Sequence, residues 1–141
     1  MSDYDERVKQ TLINACANNQ YNNYIGIEFI ELNKEHSLCR FKLKDAILNP
    51  YGFLHGGAVL SAADICAGVT ACLCGYYVVT VSCNMNFLNP GANTEYIYCE
   101  CERLRGGEHI LVYDVKLKDD NGLILDSGEY SYFKTERKVC D

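Results

Sequence analysis

Apolar and polar positions recur along this chain with two different periods, and the changes of period divide it into elements. Behind Ser2-Asp3-Tyr4-Asp5, which offers a cap and early acidic residues, Val8, Leu12, Ala15 and Cys16 recur at helical spacing. This predicts an amphipathic helix over about residues 3–18, stopped by Asn18-Asn19-Gln20. Residues 26–32 and 37–44 read as strands; in the second, Cys39, Phe41 and Leu43 alternate with Arg40, Lys42 and Lys44, giving one buried and one wet face. An irregular stretch containing Pro50 and Gly52 leads into a long apolar run from Gly56 to about Gly75. Period two then returns: Val79, Val81, Cys83, Met85 and Phe87 alternate with Thr80, Ser82, Asn84 and Asn86. Three further strands are expected near 95–104, 109–118 and 123–133. They are joined by Arg105-Gly106-Gly107 and by Asp120-Asn121-Gly122, whose Asn-Gly is a hairpin signal. Residues 134–141 read as a polar tail.

The apolar run at 56–75 is the central helix. Glycine disfavours helix interiors by about 1 kcal/mol, so Gly56-Gly57 belong at its start, where backbone N–H groups are free. Val59, Ala62, Cys66, Val69 and Leu73 form a face suited to a sheet, while Gly57, Ser61, Asp64, Gly68, Ala71 and Gly75 form a stripe of small residues around one charge. The economical arrangement is one α+β domain over 1–141, an antiparallel sheet wrapped around this helix. Exposed sheet edges and the bare stripe imply a dimer or a larger assembly.

Composition narrows the partners. Thirteen basic and 19 acidic residues leave a net charge of -6, which repels nucleic acid and anionic membranes. The central run is long enough to suggest a membrane span, but Asp64 would lie at mid-bilayer at a cost of about 3 kcal/mol, so no membrane is expected. Nine cysteines in a chain whose first 20 residues are polar point to a reduced, cytoplasmic protein with small thiols in its core. Cys72-x-Cys74 and Cys99-x-Cys101 lack the spacing of a metal knuckle, and no metal site is expected.

Several residues can carry chemistry. The N–H groups of Gly56 and Gly57, at the positive end of a helix, favour an anion or a developing oxyanion. Asp64 lies two turns further along the same face in an otherwise apolar helix, where an aspartate must be hydrogen-bonded or functional. His55, just before the helix, suits an orienting role, and Asn49 and Ser82 can each donate and accept hydrogen bonds, positioning a water or holding Asp64. No nucleophile elbow, phosphate loop or dinucleotide fingerprint is present.

Asn49-x-x-Gly52-x-x-His55-Gly56-Gly57, then Asp64, then the run Val81 to Pro90, resembles the hotdog-fold acyl-CoA thioesterases of the phenylacetic acid degradation (PaaI-like) group. The resemblance implies a hotdog fold and hydrolysis of an acyl-CoA to free acid and coenzyme A without a cofactor. It implies that the Gly56 N–H, with that of Gly57, binds the thioester carbonyl oxygen. Asp64, contributed across a dimer interface, would be general base or nucleophile, with Asn49 and Ser82 orienting water and carboxylate. Arg103 and Arg105 would meet the coenzyme A phosphates, ahead of Lys134, Arg137 and Lys138. Asn89 stands where relatives often carry Arg or Lys before the proline, which removes one phosphate contact. The resemblance also implies a homodimer or a homotetramer built from two dimers. The alternative is a hotdog domain that binds or senses acyl-CoA without hydrolysing it. A hotdog dehydratase fits less well, since such enzymes pair a histidine with an acidic residue at another spacing.

Overall fold

Helix α1 (Asp3–Ala17) is closed at its start by a reciprocal capping box, in which the Ser2 hydroxyl accepts the Asp5 N–H at 3.0 Å and the Asp5 carboxylate accepts the Ser2 N–H at 3.3 Å. The asparagines that end α1 also begin an element that periodicity did not disclose. Asn19 Oδ1 accepts the Asn22 N–H and caps a second helix, α2 (Gln20–Ile25), which closes on Gly26 at φ 88°.

The computed structural model describes residues 1–141. After α2 come β1 (Glu28–Leu32), β2 (His36–Lys42), a 3-10 turn at Asp45–Ile47 and the central helix α3 (Gly56–Cys72). They are followed by β3 (Tyr76–Phe87), β4 (Tyr96–Gly106), β5 (Ile110–Lys118) and β6 (Ile124–Lys138). All strand neighbours are antiparallel in a single sheet of order β1-β2-β4-β5-β6-β3, with α3 packed across one face. This is the expected α+β design: one sheet face and one helix bury each other.

Three features differ from the sequence pattern. Helix α3 stops at Cys72, and the chain turns away through Gly75 at φ 97°. Strand β6 continues to Lys138, through the segment expected to be a polar tail, because the twelve-residue β3 lies beside it and pairs from Tyr76↔Lys138 to Phe87↔Asp126. Backbone pairing, which hydropathy does not register, sets that length. Within the same pair the ladder slips at Val81, between Thr80 and Ser82. The single alternation expected for β3 is therefore broken, and Thr80 and Cys83, three residues apart, both face α3.

The core is finely divided. Val59, Ala62, Ala63, Cys66 and Ala67 of α3 meet Cys39, Phe41, Ile97, Cys99, Val115 and Leu117 of the sheet. These short side chains let the helix lie close to the strands. All nine cysteines are free thiols, and Cys16, Cys39, Cys66, Cys72, Cys99 and Cys101 are buried among the apolar groups. Strand β3, by contrast, is a sheet edge with Val79, Val81 and Phe87 each more than half exposed.

Candidate active site

The entrance to α3 is built by a knotted loop. Asn49 Oδ1 accepts the N–H groups of Tyr51 and Phe53 at 2.9 and 3.1 Å, folding 49–53 into a compact turn, while Leu54 N–H donates to the Gly91 carbonyl and His55 N–H to the Ile47 carbonyl. His55 is the N-cap: its Nδ1 accepts the Gly57 N–H at 2.8 Å, and its carbonyl accepts the Ala58 and Val59 N–H groups. Gly57 is thereby committed. The Gly56 N–H makes no hydrogen bond within the chain. Gly56 lines a cavity of about 360 Å³ together with Asn49, Phe53, Val59, Phe87, Asn89 and the buried Asp126. Phe87 lies against Gly56, where an added Cβ would meet its ring at 3.4 Å.

Asp64 sits elsewhere. It is half-buried on the flank of α3 facing β3 and β6, where Oδ1 accepts the Thr80 hydroxyl at 2.9 Å and the Tyr132 hydroxyl at 3.0 Å. The Tyr130 hydroxyl donates to the Leu60 carbonyl one turn earlier, so β6 holds α3 by two tyrosines. Burial first, and the adjacent Asp64 charge second, push the Tyr132 phenol far above its ordinary value, so it stays a donor. Asp64 lines two depressions, one with Tyr77, Val78 and Tyr132, the other with Ser61, Cys83 and Tyr130. Neither contains Gly56 or Asn49.

The remaining candidates are scattered. Ser82 makes no hydrogen bond to Asp64 and lines none of these cavities; the donors on Asp64 are Thr80 and Tyr132, which sequence reasoning did not select. Simple alternation puts Thr80 and Ser82 on the same polar side of β3, and the slip at Val81 separates them. Asn89 borders the Gly56 cavity and donates through Nδ2 to the Ile124 carbonyl at 2.9 Å. Arg103 is paired with Glu35 beside the β1–β2 turn, which packs near the C-terminal end of α3, and Arg105 is exposed on the same strand. Within one chain neither arginine approaches Gly56.

Two groups have metal-ligand geometry, each with its ligand atoms within 4.8 Å of one another. Cys39, Cys66 and Cys99 form the first, where hydrogen bonds among the thiols and then burial push all three well above the ordinary thiol value, toward the protonated form that does not bind metals. His36, Glu100 and Glu102 form the second on the other face of the sheet, with His36 already bonded to Glu100 and Lys118 also on Glu100.

Sequence reasoning also missed Asp126. It is 3 % exposed, pairs with Phe87 and with the buried Leu117, and has no hydrogen-bond or ionic partner in the chain. Burial alone pushes its carboxyl up to about 7. The available signal was an aspartate directly after Leu125 inside an apolar strand.

These features have a family. The model of the thioesterase superfamily matches residues 51–125, more than half of the chain, and the chain belongs to that superfamily. Two proteins of Saccharolobus solfataricus are similar to it in sequence. Putative esterase SSO1253 is 34% identical over 102 residues, 70% of this chain and 67% of the relative. Putative esterase SSO2140 is 27% identical over 118 residues, 82% of this chain and 84% of the relative. The fold is that of the Escherichia coli PaaI protein from the phenylacetic acid degradation operon, with a TM-score of 0.88 at 18% identity over 96% of this chain and 99% of that one. Streptococcus mutans smu.793, solved bound to acetyl CoA, superposes with a TM-score of 0.76 at 22% identity over 80% of this chain and 91% of that one. The fold is therefore a PaaI-like hotdog. No helix of the chain is long and apolar enough to cross a membrane.

Proposed function

We propose that this protein is an acyl-CoA thioesterase whose active site is completed by a second copy of the chain. The carrying observation is the separation of two chemically complementary groups. Gly56 offers an unclaimed N–H at a helix start, and Asp64 offers an oriented carboxylate; eight residues of one helix keep them about 12 Å apart, facing different cavities. A thioester spans a few ångströms, so one chain does not present both to the same carbonyl. The exposed apolar edge of β3, beside both groups, is the surface on which a partner would bring its Asp64 to this Gly56. Such a homodimer could pair again into a tetramer.

In this reading the thioester oxygen accepts the Gly56 N–H, and the partner's Asp64, aimed by Thr80 and Tyr132, activates water or attacks the carbonyl itself. Asn49 braces the loop that presents Gly56, and His55 fixes the first turn of α3. Arg105 is the freer of the two arginines to meet a coenzyme A phosphate, since Arg103 is paired with Glu35. Neither step calls for a metal or redox cofactor, and nine reduced cysteines suit the cytoplasm. The coenzyme A and acetyl CoA found with structural neighbours support the ligand class.

The test is loss of thioester absorbance over a panel of short, long and aryl acyl-CoAs. Wild-type protein should hydrolyse at least one, and Asp64→Ala should lose 100- to 10,000-fold in turnover, the usual worth of a catalytic base, while keeping its oligomeric state. Turnover near wild type in the variant would refute the assignment. Binding of acyl-CoA without hydrolysis would leave the sensing domain as the better reading.

A further inference from the structure

We propose that Asp126 is a second hydrogen-bond donor for the thioester oxygen, standing with the Gly56 N–H around the carbonyl in its protonated form. The inference rests on the thioesterase reading above and adds a residue to it.

Four observations lead there. His55 Nδ1 occupies the Gly57 N–H, so the helix start is left with a single free donor where a developing oxyanion is best held by two. The cavity onto which Gly56 opens holds one ionisable side chain, Asp126. Asp126 as a residue is only 3 % exposed, yet its carboxyl has no hydrogen-bond or ionic partner in the chain, and what accessibility its oxygens keep is to this cavity. Finally, no positive charge faces it from any packed element. The 49–54 loop contributes Asn49, Phe53 and Leu54, α3 contributes Gly56 and Val59, and the end of β3 with its following turn contributes Phe87 to Gly91. On β5 the cross-strand partner is Leu117, while Lys116 and Lys118, on the other sheet face, are engaged by Asp114 and Glu100.

An ionised carboxylate here would be both desolvated and repelled by an oxyanion. The protonated carboxyl has the opposite effect, because its O–H is a donor that a substrate carbonyl entering the cavity can accept. Burial holds the proton on up to about pH 7. The proton balance is simple. Water adds its oxygen to the acyl carbon, the carbon–sulfur bond breaks and the thiol leaves with a proton that came from water. Asp126 keeps its own proton throughout, acting through hydrogen bonding alone.

The experiment is kcat and KM against pH for wild type, Asp126→Asn and Asp126→Leu, using whichever acyl-CoA the wild type hydrolyses best. Wild-type kcat should fall tenfold per pH unit above about pH 7. Asp126→Asn keeps an N–H donor in the same place, so it should retain activity within about tenfold and lose that alkaline fall. Asp126→Leu, of similar shape but without a donor, should show a pH-independent kcat about 100-fold below the wild-type value at pH 6, with KM little changed, so that wild type falls toward it as the pH rises. Full turnover in Asp126→Leu, or an alkaline fall that persists in Asp126→Asn, overturns the proposal. Should Asp126→Leu not fold, the Asn profile decides by itself. A wild type inactive on every acyl-CoA would instead refute the thioesterase reading, and an active wild type with indifferent Asp126 variants would refute this inference alone.

Discussion

The two ends of the proposed chemistry sit on one helix and are made in opposite ways. At the start of α3 the functional group is a backbone N–H, and local geometry provides it: a cap, two glycines and a loop held by Asn49. Two turns on, the functional group is a side chain, and its aim comes from distant strands, Thr80 of β3 and Tyr132 of β6. The first depends chiefly on its own few residues. The second depends on strand register, so a one-residue slip in β3 would replace the hydroxyl that holds Asp64. The Gly56 donor is thus a property of a segment, and the carboxylate end a property of the fold.

The sharpest break of that contrast is a mixing experiment. Gly56 is the first residue of α3, where proline is well accepted, and His55 before it is already extended at ψ 134°. Gly56→Pro therefore deletes the N–H with little damage to the helix and should lose 100- to 1000-fold in kcat. Co-folded with the inactive Asp64→Ala chain, it should regain about a quarter of wild-type activity, since half of the dimers are mixed and each holds one intact site. No recovery would put both groups in the same chain's site.

Smaller effects probe the aiming of Asp64. Thr80→Val and Tyr132→Phe each remove one of its two donors and should lower kcat by about tenfold, the worth of one hydrogen bond to a charged group, with KM nearly constant. A larger fall in Ser82→Ala than in Thr80→Val would mean that the register of β3 differs in the working dimer.

Stability separates the two ends in another way. The folded chain holds the Asp126 proton up to about pH 7, against 3.8 for an ordinary aspartate. Native protein therefore binds more protons than unfolded protein between those values, and stability falls as pH rises through that window and stays low above it. Asp126→Asn should remove this fall and stabilise the protein at pH 8 by about 3 kcal/mol relative to its effect at pH 4, read from urea midpoints. The smallest effect lies far from both ends. Hydrogen bonding to Glu100 raises His36, so its contribution is complete below the ordinary histidine value and fades as pH rises through the raised one. His36→Gln should cost about 0.5 kcal/mol at pH 6 and less at pH 9, with no change in turnover.

Much of the fold was legible because its signals are local. The Ser2 cap, the period of Val8, Leu12 and Cys16, the Asn121-Gly122 turn and the glycines before an apolar run all act within a few residues. What was not legible involves pairing at a distance. The polar residues 134–138 are a strand only because β3 is long, and α2 exists because Asn19 caps six residues with too few apolar positions to show a period.

The same division runs through the site. A helix with a glycine entrance, a histidine just before it and one carboxylate two turns along could be read from the chain alone, because the helical repeat fixes the spacing of residues on one element. Folding was needed to show which hydroxyls hold Asp64, that His55 caps the helix through the Gly57 N–H and leaves that of Gly56 free, and that Asp126 lines the same cavity as Gly56. Those facts depend on which strands lie side by side and in what register, and the interactions that set them join residues as much as 70 positions apart.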